Sequence, residues 1–157
     1  NRYFFVENPK EINIENAPEQ VAEVKLHPQF KDRGVRKFKT KSKFYVAEND
    51  LKDFKEGKLV RLMDCLNFVR KKGKFIFDSK DYDRYKKQGD KIIHWLPVQK
   101  ELVKVEILMP NKEIKKGLAE PMVKNLKVGD IVQFTRFAFC KLDSKKSDKL
   151  IFWYTHD

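Results

Sequence analysis

Three clusters of cationic side chains, each with aromatic residues nearby, are the part of this sequence best suited to bind a ligand. The first contains Lys31, Arg33, Arg36, Lys37, Lys39, Lys41 and Lys43, the second Arg70, Lys71, Lys72 and Lys74, and the third spans residues 82–87. Ammonium and guanidinium groups bind phosphates, and the faces of aromatic rings and guanidinium groups stack on unpaired bases. This combination favours a single-stranded RNA loop over a duplex groove. Any one cluster would also fit a solvated strand face or turn, so the prediction depends on all three occurring together.

Few side chains have the types and spacing that catalysis or metal binding requires. The six glycines are isolated rather than gathered in a phosphate-binding loop, and no Ser or Cys lies in a nucleophile-elbow motif. His27, His94 and His156 are far apart, and no Cys or His pair has the spacing of a zinc site. We therefore expect no catalytic residue, no metal and no cofactor in this chain. Cys65 and Cys140 are expected to be reduced, buried thiols of a cytoplasmic protein.

The composition is that of a basic chain with enough apolar material for a core. Among 157 residues, 35 Lys and Arg outnumber 23 Asp and Glu, a formal net charge of +12, while 41% of residues are hydrophobic and 13% aromatic. This surplus, on one ordinary domain or two small ones, favours polyanionic partners, although a lysine-rich solvated surface is the plainer alternative. No apolar run approaches the roughly 20 residues that span a membrane, and the first residues lack a signal-peptide pattern. We expect no membrane partner.

Short stretches of alternating apolar residues predict an all-β protein built from barrels or sandwiches. Strands are predicted at residues 2–6, 12–14, 21–26, 37–47, 59–69, 75–77, 92–96, 102–109, 131–142 and 150–154. A bulge or turn is predicted within residues 40–43, and a hairpin with a cationic tip at residues 70–74. One short helix is predicted at 49–58, whereas 79–90 is predicted to be a loop and 117–121 a turn.

Seven strings of residues occur in an order and spacing that resemble a known family. They are Asn1-Arg2-Tyr3-Phe4-Phe5-Val6, Leu26-His27-Pro28, Val60-Arg61-Leu62-Met63-Asp64, Ile93-His94-Trp95-Leu96-Pro97, Gly117-Leu118-Ala119-Glu120-Pro121, Val132-Gln133-Phe134-Thr135-Arg136-Phe137 and Thr155-His156-Asp157. Each string is short, but the ordered set extends over essentially the whole chain. The set resembles the C-terminal anticodon-binding region of archaeal-type glutamyl-tRNA synthetases, which are close relatives of the glutaminyl-tRNA synthetases.

The resemblance implies an all-β fold of two consecutive β-barrels, of the ribosomal-protein-L25-like kind found in the anticodon-binding regions of class I synthetases. The proximal barrel is expected to take residues 1–48 and 98–157, and the distal barrel residues 49–97. The family's parent enzyme is a cytoplasmic glutamate-tRNA ligase that joins glutamate to tRNA with ATP and Mg²⁺. Because the catalytic signatures of that enzyme have no counterpart here, the chain is expected to bind glutamate tRNA, as a monomer, and to leave the chemistry to a missing catalytic domain.

The resemblance also assigns roles to individual residues. Those expected to bind the anticodon are Arg2, Arg61, Gln133 and Arg136. Arg2 and Gln133 match residues that contact the middle base, a uracil in glutamate and glutamine tRNAs; Arg136 lies beside Gln133, and Arg61 matches an arginine near the first anticodon position. A guanidinium offers donors to base oxygens, and an amide offers the donor and the acceptor that a uracil edge requires. The plainer alternatives are an outward polar residue for Gln133 and a rim salt bridge for Arg61.

Phosphate binding is assigned to the first two cationic clusters. The residues expected to hold the RNA backbone are Lys37, Lys39, Lys41, Lys43, Arg70, Lys71, Lys72 and Lys74. Two departures favour the glutamyl over the glutaminyl enzymes: residues 52–55 lack the arginine that reads the third base of glutamine anticodons, and Met63 replaces a second arginine. Three alternatives stay open, namely the same region of a glutaminyl-tRNA synthetase, a ribosomal-RNA-binding protein of the L25 type, and a scaffold that binds protein partners. Whether glutamine-accepting tRNA is also bound stays open too.

Overall fold

The computed structural model describes all 157 residues, and it is dominated by strands. The strands are β1 (Arg2–Tyr3), β2 (Phe5–Glu7), β3 (Pro9–Glu15), β4 (Gln20–Lys25), β5 (Val35–Thr40), β6 (Lys43–Ala47), β7 (Leu59–Leu62), β8 (Leu66–Lys71), β9 (Lys74–Ser79), β10 (Gly89–Ile93), β11 (Leu96–Pro97), β12 (Val103–Leu108), β13 (Ile114–Ala119), β14 (Ile131–Phe134), β15 (Ala138–Lys145) and β16 (Leu150–His156). The helices are α1 (Glu48–Lys52) and α2 (Tyr82–Gln88), with 3₁₀ turns at Lys31–Arg33 and Pro121–Asn125. The predicted all-β fold class is confirmed.

Seven strands form a first sheet in the order β1-β14-β15-β16-β12-β13-β2. Its edge strands, β1 and β2, are the two halves of one segment that is interrupted only at Phe4. The sheet therefore curls round as a barrel, because a single residue joins its first and last strands. Its interior is a core of 16 buried residues that includes Phe5, Phe134, Cys140 and Phe152.

A second seven-stranded sheet, in the order β10-β7-β8-β9-β3-β6-β11, repeats this arrangement. Its edge strands, β10 and β11, are again consecutive, and only His94 and Trp95 separate them. Trp95 is fully buried, and its ring lies 5.6 Å from that of Phe44 and 5.2 Å from that of Phe38. The second core therefore forms around the segment that closes the second sheet.

Residues 3–6 lie between the two cores and contribute to both. Tyr3 and Phe5 belong to the core of the first sheet, whereas Phe4 and Val6 belong to the core of the second. A strand that is buried on both faces requires a continuous apolar run, which explains why this segment does not alternate. The same run joins the two sheets into one body.

The third sheet is the β4–β5 hairpin, and its burial alternates residue by residue. Along β5, Arg36, Phe38 and Thr40 are buried, whereas Lys37 and Lys39 are exposed. The chain then bends at residues 41–42 before β6 begins. The predicted interruption of the strand near this point is confirmed.

Two predicted long strands are each divided by a turn, so these predictions were wrong. The predicted strand at 59–69 is β7 and β8, joined through Asp64 with a φ of 57°. The predicted strand at 131–142 is β14 and β15, joined through Arg136 with a φ of 63°. Left-handed residues reverse the chain in both turns, yet neither turn contains the glycine or proline by which turns are usually recognised.

The predicted helix at 49–58 is shorter, and the predicted loop at 79–90 contains a helix. Helix α1 ends at Lys52, because Phe54 leaves it to pack edge-on against Phe68 in the second core. Helix α2 has no buried residue; Arg84 supports it through a hydrogen bond to Gln88, one turn further along. The sequence predicts a loop here because the residues are polar, but their side chains interact at helical spacing and the segment forms a helix.

The predicted turn at 117–121 was also wrong, because Gly117 and Leu118 pair with β2 in the middle of the first sheet. A Cβ atom built on Gly117 would lie 2.0 Å from the carbonyl oxygen of Val6. The glycine is needed for this close approach of two strands and not for a change of direction.

Pairing between strands crosses the predicted boundary at residue 48. Strands β3 and β6, from the first 48 residues, belong to the same sheet as β7–β10. The division into a proximal unit of 1–48 plus 98–157 and a distal unit of 49–97 stays a prediction. Cys65 and Cys140 are free and buried, as predicted, and burial raises the pKa of each thiol to about 12. None of the helices combines the length and the apolar composition needed to cross a bilayer.

Candidate nucleic-acid interface

Arg2 and Gln133 are direct neighbours in the first sheet. Strands β1 and β14 run parallel, and their register places Arg2 opposite Gln133 and Tyr3 opposite Phe134. The backbone N–H of Gln133 donates to the carbonyl oxygen of Asn1 at 3.0 Å, which fixes this register. Because Tyr3 and Phe134 point into the core, the side chains of Arg2 and Gln133 share the outer face. Two residues that are 131 positions apart are thereby presented together.

A buried ion pair holds the segment that carries Arg2. The backbone N–H of Phe4 lies where the strand is interrupted, and it donates to Oε2 of Glu120 at 2.7 Å. Arg36 donates to the same carboxylate from Nε at 2.8 Å and from Nη2 at 3.1 Å. Arg36 is only 2% exposed. It therefore cannot bind phosphate as the first cationic cluster implied, and it acts as a structural residue instead.

A cavity of about 280 Å³ opens beside Arg2, where the first sheet meets the β4–β5 hairpin and the β7–β8 turn. Its polar lining includes Arg2, Lys25, Asp64 and Thr135. Nε of Arg2 is buried without a hydrogen-bond partner, and such a group normally finds one. Nε itself is enclosed, so a ligand with carbonyl oxygens would accept from the Nη groups of the same guanidinium, which have no hydrogen bond within the chain. Gln133 stands next to Arg2 and does not line the cavity itself.

Arg136 points away from this cavity and links the two large sheets. Its Nη1 and Nη2 donate to the carboxylate of Asp50 at 2.8 Å and 3.0 Å, and Nη1 lies 3.0 Å from Nδ1 of His94. Burial opposes ionisation of Asp50, but hydrogen bonds from Arg136 outweigh it and lower the pKa of that carboxyl. Burial, followed by the charge of Arg136, lowers the pKa of His94 to about 4. A neutral imidazole therefore accepts a hydrogen bond from Arg136 at neutral pH.

Arg61 is buried on β7 of the second sheet, between β10 and β8. Its Nη1 donates at 3.0 Å both to Oδ1 of Asn67 and to the carbonyl oxygen of Lys80, and its guanidinium lies over the ring of Tyr82. These contacts hold the segment that leads into α2. The alternative of a rim salt bridge is wrong, because both of these partners are uncharged.

The lysines of the first cluster remain on the surface. Lys37 and Lys39 lie on the outer face of β5, Lys41 in the following bend and Lys43 at the start of β6, and all four are exposed. The last three line a shallow cavity of about 430 Å³. Beside these four lysines, Glu19 lies in that lining and Glu23 lies 3.9 Å from Lys37. The cluster can therefore attract an anion.

The second cluster forms the predicted hairpin tip between β8 and β9. Lys71, Lys72 and Lys74 are exposed, and the chain reverses at Lys72 and Gly73 with positive φ angles. Arg70 is half-buried and donates from Nη1 to the carbonyl oxygen of Phe54 at 3.2 Å. The hairpin with a cationic tip is confirmed: it carries three exposed ammonium groups, of which that of Lys74 lies 3.9 Å from Glu15, and one structural arginine.

Sequence reasoning missed the acidic partners of these arginines. Glu120 sits between Ala119 and Pro121 in an otherwise apolar string, and an isolated acid of this kind is a recognisable signal for a buried ion pair. Asp50 lies in a run of polar residues that has no such signal. Glu120 positions Arg36 in the lining of the cavity, and Asp50 positions Arg136 between the two large sheets, although neither acid was a candidate residue.

Comparison with known proteins adds an independent line of observation. A family model described as "tRNA synthetases class I (E and Q), anti-codon binding domain" matches residues 1–81, and a second model with the same description matches residues 66–143. The chain is 40% identical to a glutamate-tRNA ligase of Methanocaldococcus jannaschii, 39% to one of Methanobrevibacter smithii and 40% to one of Pyrococcus furiosus. Each alignment covers 99% of this chain and 28% of the relative. The chain thus spans little more than a quarter of those proteins.

Proposed function

Because the chain belongs to the family of anticodon-binding domains of class I tRNA synthetases for glutamate and glutamine, we propose that it is the anticodon-binding part of a glutamate-tRNA ligase. It binds the anticodon loop of glutamate tRNA so that a catalytic region outside this chain can attach glutamate. The names of the relatives support the choice of glutamate, as does the absence of arginine at residues 52–55. We place the parent in the cytoplasm and expect this chain to act as a monomer.

The observation that carries this proposal is the direct pairing of Arg2 with Gln133 beside a cavity of about 280 Å³. A uracil edge presents oxygen acceptors and one N–H donor. The guanidinium of Arg2 has an unpartnered donor for an oxygen, and the amide of Gln133 has a donor and an acceptor. The two side chains together therefore suit a flipped-out uracil in the middle of the anticodon. Arg61 and Arg136 are assigned neighbouring anticodon contacts through the N–H groups that their protein partners leave free.

The chemistry that ATP and Mg²⁺ supply belongs to the catalytic region of the parent. Within this chain the buried carboxylates of Glu120 and Asp50 are paired with Arg36 and Arg136, and no group of three or more acidic, His or Cys residues converges. The glycines lie in turns or between strands and form no phosphate-binding loop. The residues of this chain fit neither ATP nor Mg²⁺, so we assign to this chain the recognition and orientation of the RNA.

Replacing Arg2 or Gln133 with alanine tests the middle-base contact. Each substitution is expected to reduce discrimination at the middle base by about 1–3 kcal/mol, because each removes donors or acceptors specific to the base edge. The measurement is the affinity of the chain for anticodon stem-loop hairpins that carry each of the four bases at this position.

Lys112→Ala and Gln99→Ala are matched controls for the loss of a charge and of an amide, since neither residue belongs to a cationic cluster or to the candidate site and Lys112 is exposed. They are expected to leave discrimination unchanged. An equal loss of affinity for all four hairpins in the Arg2 and Gln133 variants would contradict base reading.

The family description includes the enzymes for glutamine, so the identity of the tRNA needs its own test. We expect the chain to prefer the glutamate anticodon loop over the glutamine loop when both are present. Equal binding would show that discrimination resides elsewhere in the parent. Preference for a ribosomal RNA fragment over both loops would contradict the proposed function.

A further inference from the structure

A second surface extends from Gln133 across the outer face of the first sheet. Gln133 pairs with Phe139 on β15, and Phe139 pairs with His156 on β16. Together with Arg2, these residues form one row of side chains across four adjacent strands. The rings of Phe139 and His156 are stacked, with centroids 4.5 Å apart and an angle of 26° between their planes.

A neighbouring row lies two residues further along β14 and β15 and three residues further along β16, where the register shifts between Phe139 and Cys140. Ile131 on β14 pairs with Lys141 on β15, and Lys141 pairs with Trp153 on β16. Trp153 is 50% exposed and Ile131 57% exposed. Their neighbours along the strands, Val132 and Phe152, point into the core, so this row faces outward. The cation Lys141 therefore has two aromatic neighbours on this face: Trp153 across on β16, and Phe139 two residues away on β15.

Exposed rings interleaved with cations are typical of surfaces that bind unpaired nucleotides, because every base has a face that stacks. The two rows are about 7 Å apart along the strands. That is roughly twice the 3.4 Å rise per stacked nucleotide, so the surface suits bases splayed apart rather than bases stacked on each other. The rows are continuous with Arg2 and Gln133, and the chain carries a net charge of +12. Both observations favour RNA over an apolar protein partner.

Resting on the proposed function, we propose that Phe139, His156 and Trp153 form a stacking surface for unpaired loop nucleotides that flank the base held by Arg2 and Gln133. One flanking base stacks on the Phe139–His156 pair and another on Trp153. Lys141, which pairs with Trp153 and lies two residues from Phe139 on β15, binds the phosphate between these two bases. The surface adds affinity with little dependence on base identity, since stacking tolerates any base.

Fluorescence of Trp153 in the intact 157-residue chain tests this directly. The only other tryptophan, Trp95, is fully buried, so quenching by acrylamide reports on Trp153. Saturation with an anticodon stem-loop hairpin is expected to protect Trp153 from the quencher. A hairpin with abasic sites at the flanking loop positions is expected to bind without protecting it.

Substitution supplies the matching affinity measurement. Trp153→Ala is expected to weaken hairpin binding about 5- to 100-fold, the effect of losing one stacked base, and Trp153→Phe to restore most of it. The loss is expected to disappear with the abasic hairpin. Ile114→Ala is the control, because Ile114 is 53% exposed on the same sheet but lies two strands beyond Trp153. Urea unfolding followed through Trp95 confirms that the variants fold.

Unchanged quenching of Trp153 in a saturated complex, or unchanged affinity of Trp153→Ala, would overturn the stacking surface. If the hairpin still bound with preference for a middle uracil, the proposed function would survive and only this inference would fail. If no hairpin bound at all, both the proposed function and the stacking surface would be contradicted.

Discussion

His94 is neutral at physiological pH because burial and the adjacent Arg136 guanidinium hold its pKa at about 4. An unfolded histidine titrates near 6.5, so below that pH the unfolded chain binds more protons at this residue than the folded chain does. The stabilising contribution of His94 is therefore complete above about pH 6.5 and is lost as the pH falls towards 4. Lowering the pH from 7.5 to 5 is expected to remove about 2 kcal/mol from the free energy of unfolding.

Urea unfolding of the wild-type chain and of His94→Gln at both pH values measures the contribution of His94 to the free energy of unfolding. The variant is expected to be less stable at pH 7.5 but to lose about 2 kcal/mol less on acidification. His156→Gln, at an exposed site, serves as the control. The pKa of Asp50 is also lowered, but an aspartate titrates below the chosen window, so it does not obscure the comparison. Parallel pH profiles for wild type and His94→Gln would show that the buried imidazole is not responsible.

At the scale of single elements, strand β13 depends on a residue without a side chain. It lies between β2 and β12, and a Cβ on Gly117 would meet the carbonyl oxygen of Val6 at 2.0 Å. Gly117→Ala is expected to destabilise the chain by about 1–3 kcal/mol or more, since backbone of β2 must move to admit the methyl group. Because β2 closes the first sheet, the same displacement is expected to weaken hairpin binding at Arg2.

The measurement is the free energy of unfolding in urea, beside the affinity for the anticodon hairpin. Lys116→Ala is the control, because Lys116 is the exposed neighbour of Gly117 on the same strand. Wild-type stability in Gly117→Ala would mean that β2 and β13 separate without penalty.

For the whole molecule, the charge distribution governs affinity and its salt dependence. Lys39, on β5, and Lys41, in the bend between β5 and β6, are exposed and line one cavity. Each phosphate contact to single-stranded RNA changes the slope of log affinity against log salt by about 0.7. The double variant Lys39→Ala/Lys41→Ala is therefore expected to reduce this slope by about 1.4 and to weaken all four middle-base hairpins equally.

The double variant Lys112→Ala/Lys116→Ala removes the same charge from the β12–β13 hairpin. If only net charge mattered, both double variants would change the slope alike. A smaller effect of the second variant would locate the RNA backbone along the end of β5 and the bend that follows it. An unchanged slope in the first variant would exclude a phosphate role for these lysines.

The sequence alone was sufficient for features that depend on near neighbours. Alternation identified the strands β4, β5 and β12, and the cluster at 70–74 identified a cationic hairpin tip, because both signals come from residues that are close together in sequence. The resemblance also named Arg2 and Gln133 as a pair. Local rules failed where tertiary packing decided the chain direction, as at Phe54 and at the left-handed residues Asp64 and Arg136.

Only the tertiary structure determined which cationic groups are free. Arg36 and Lys37 are adjacent in sequence, yet Arg36 is 2% exposed and paired with Glu120, whereas Lys37 lies on the surface. Arg136 is held by Asp50, 86 residues away, and Gln133 meets Arg2 only because β1 and β14 are parallel neighbours. A charged side chain is buried when the fold brings a partner to it, and that partner comes from a distant segment whose approach no local pattern encodes.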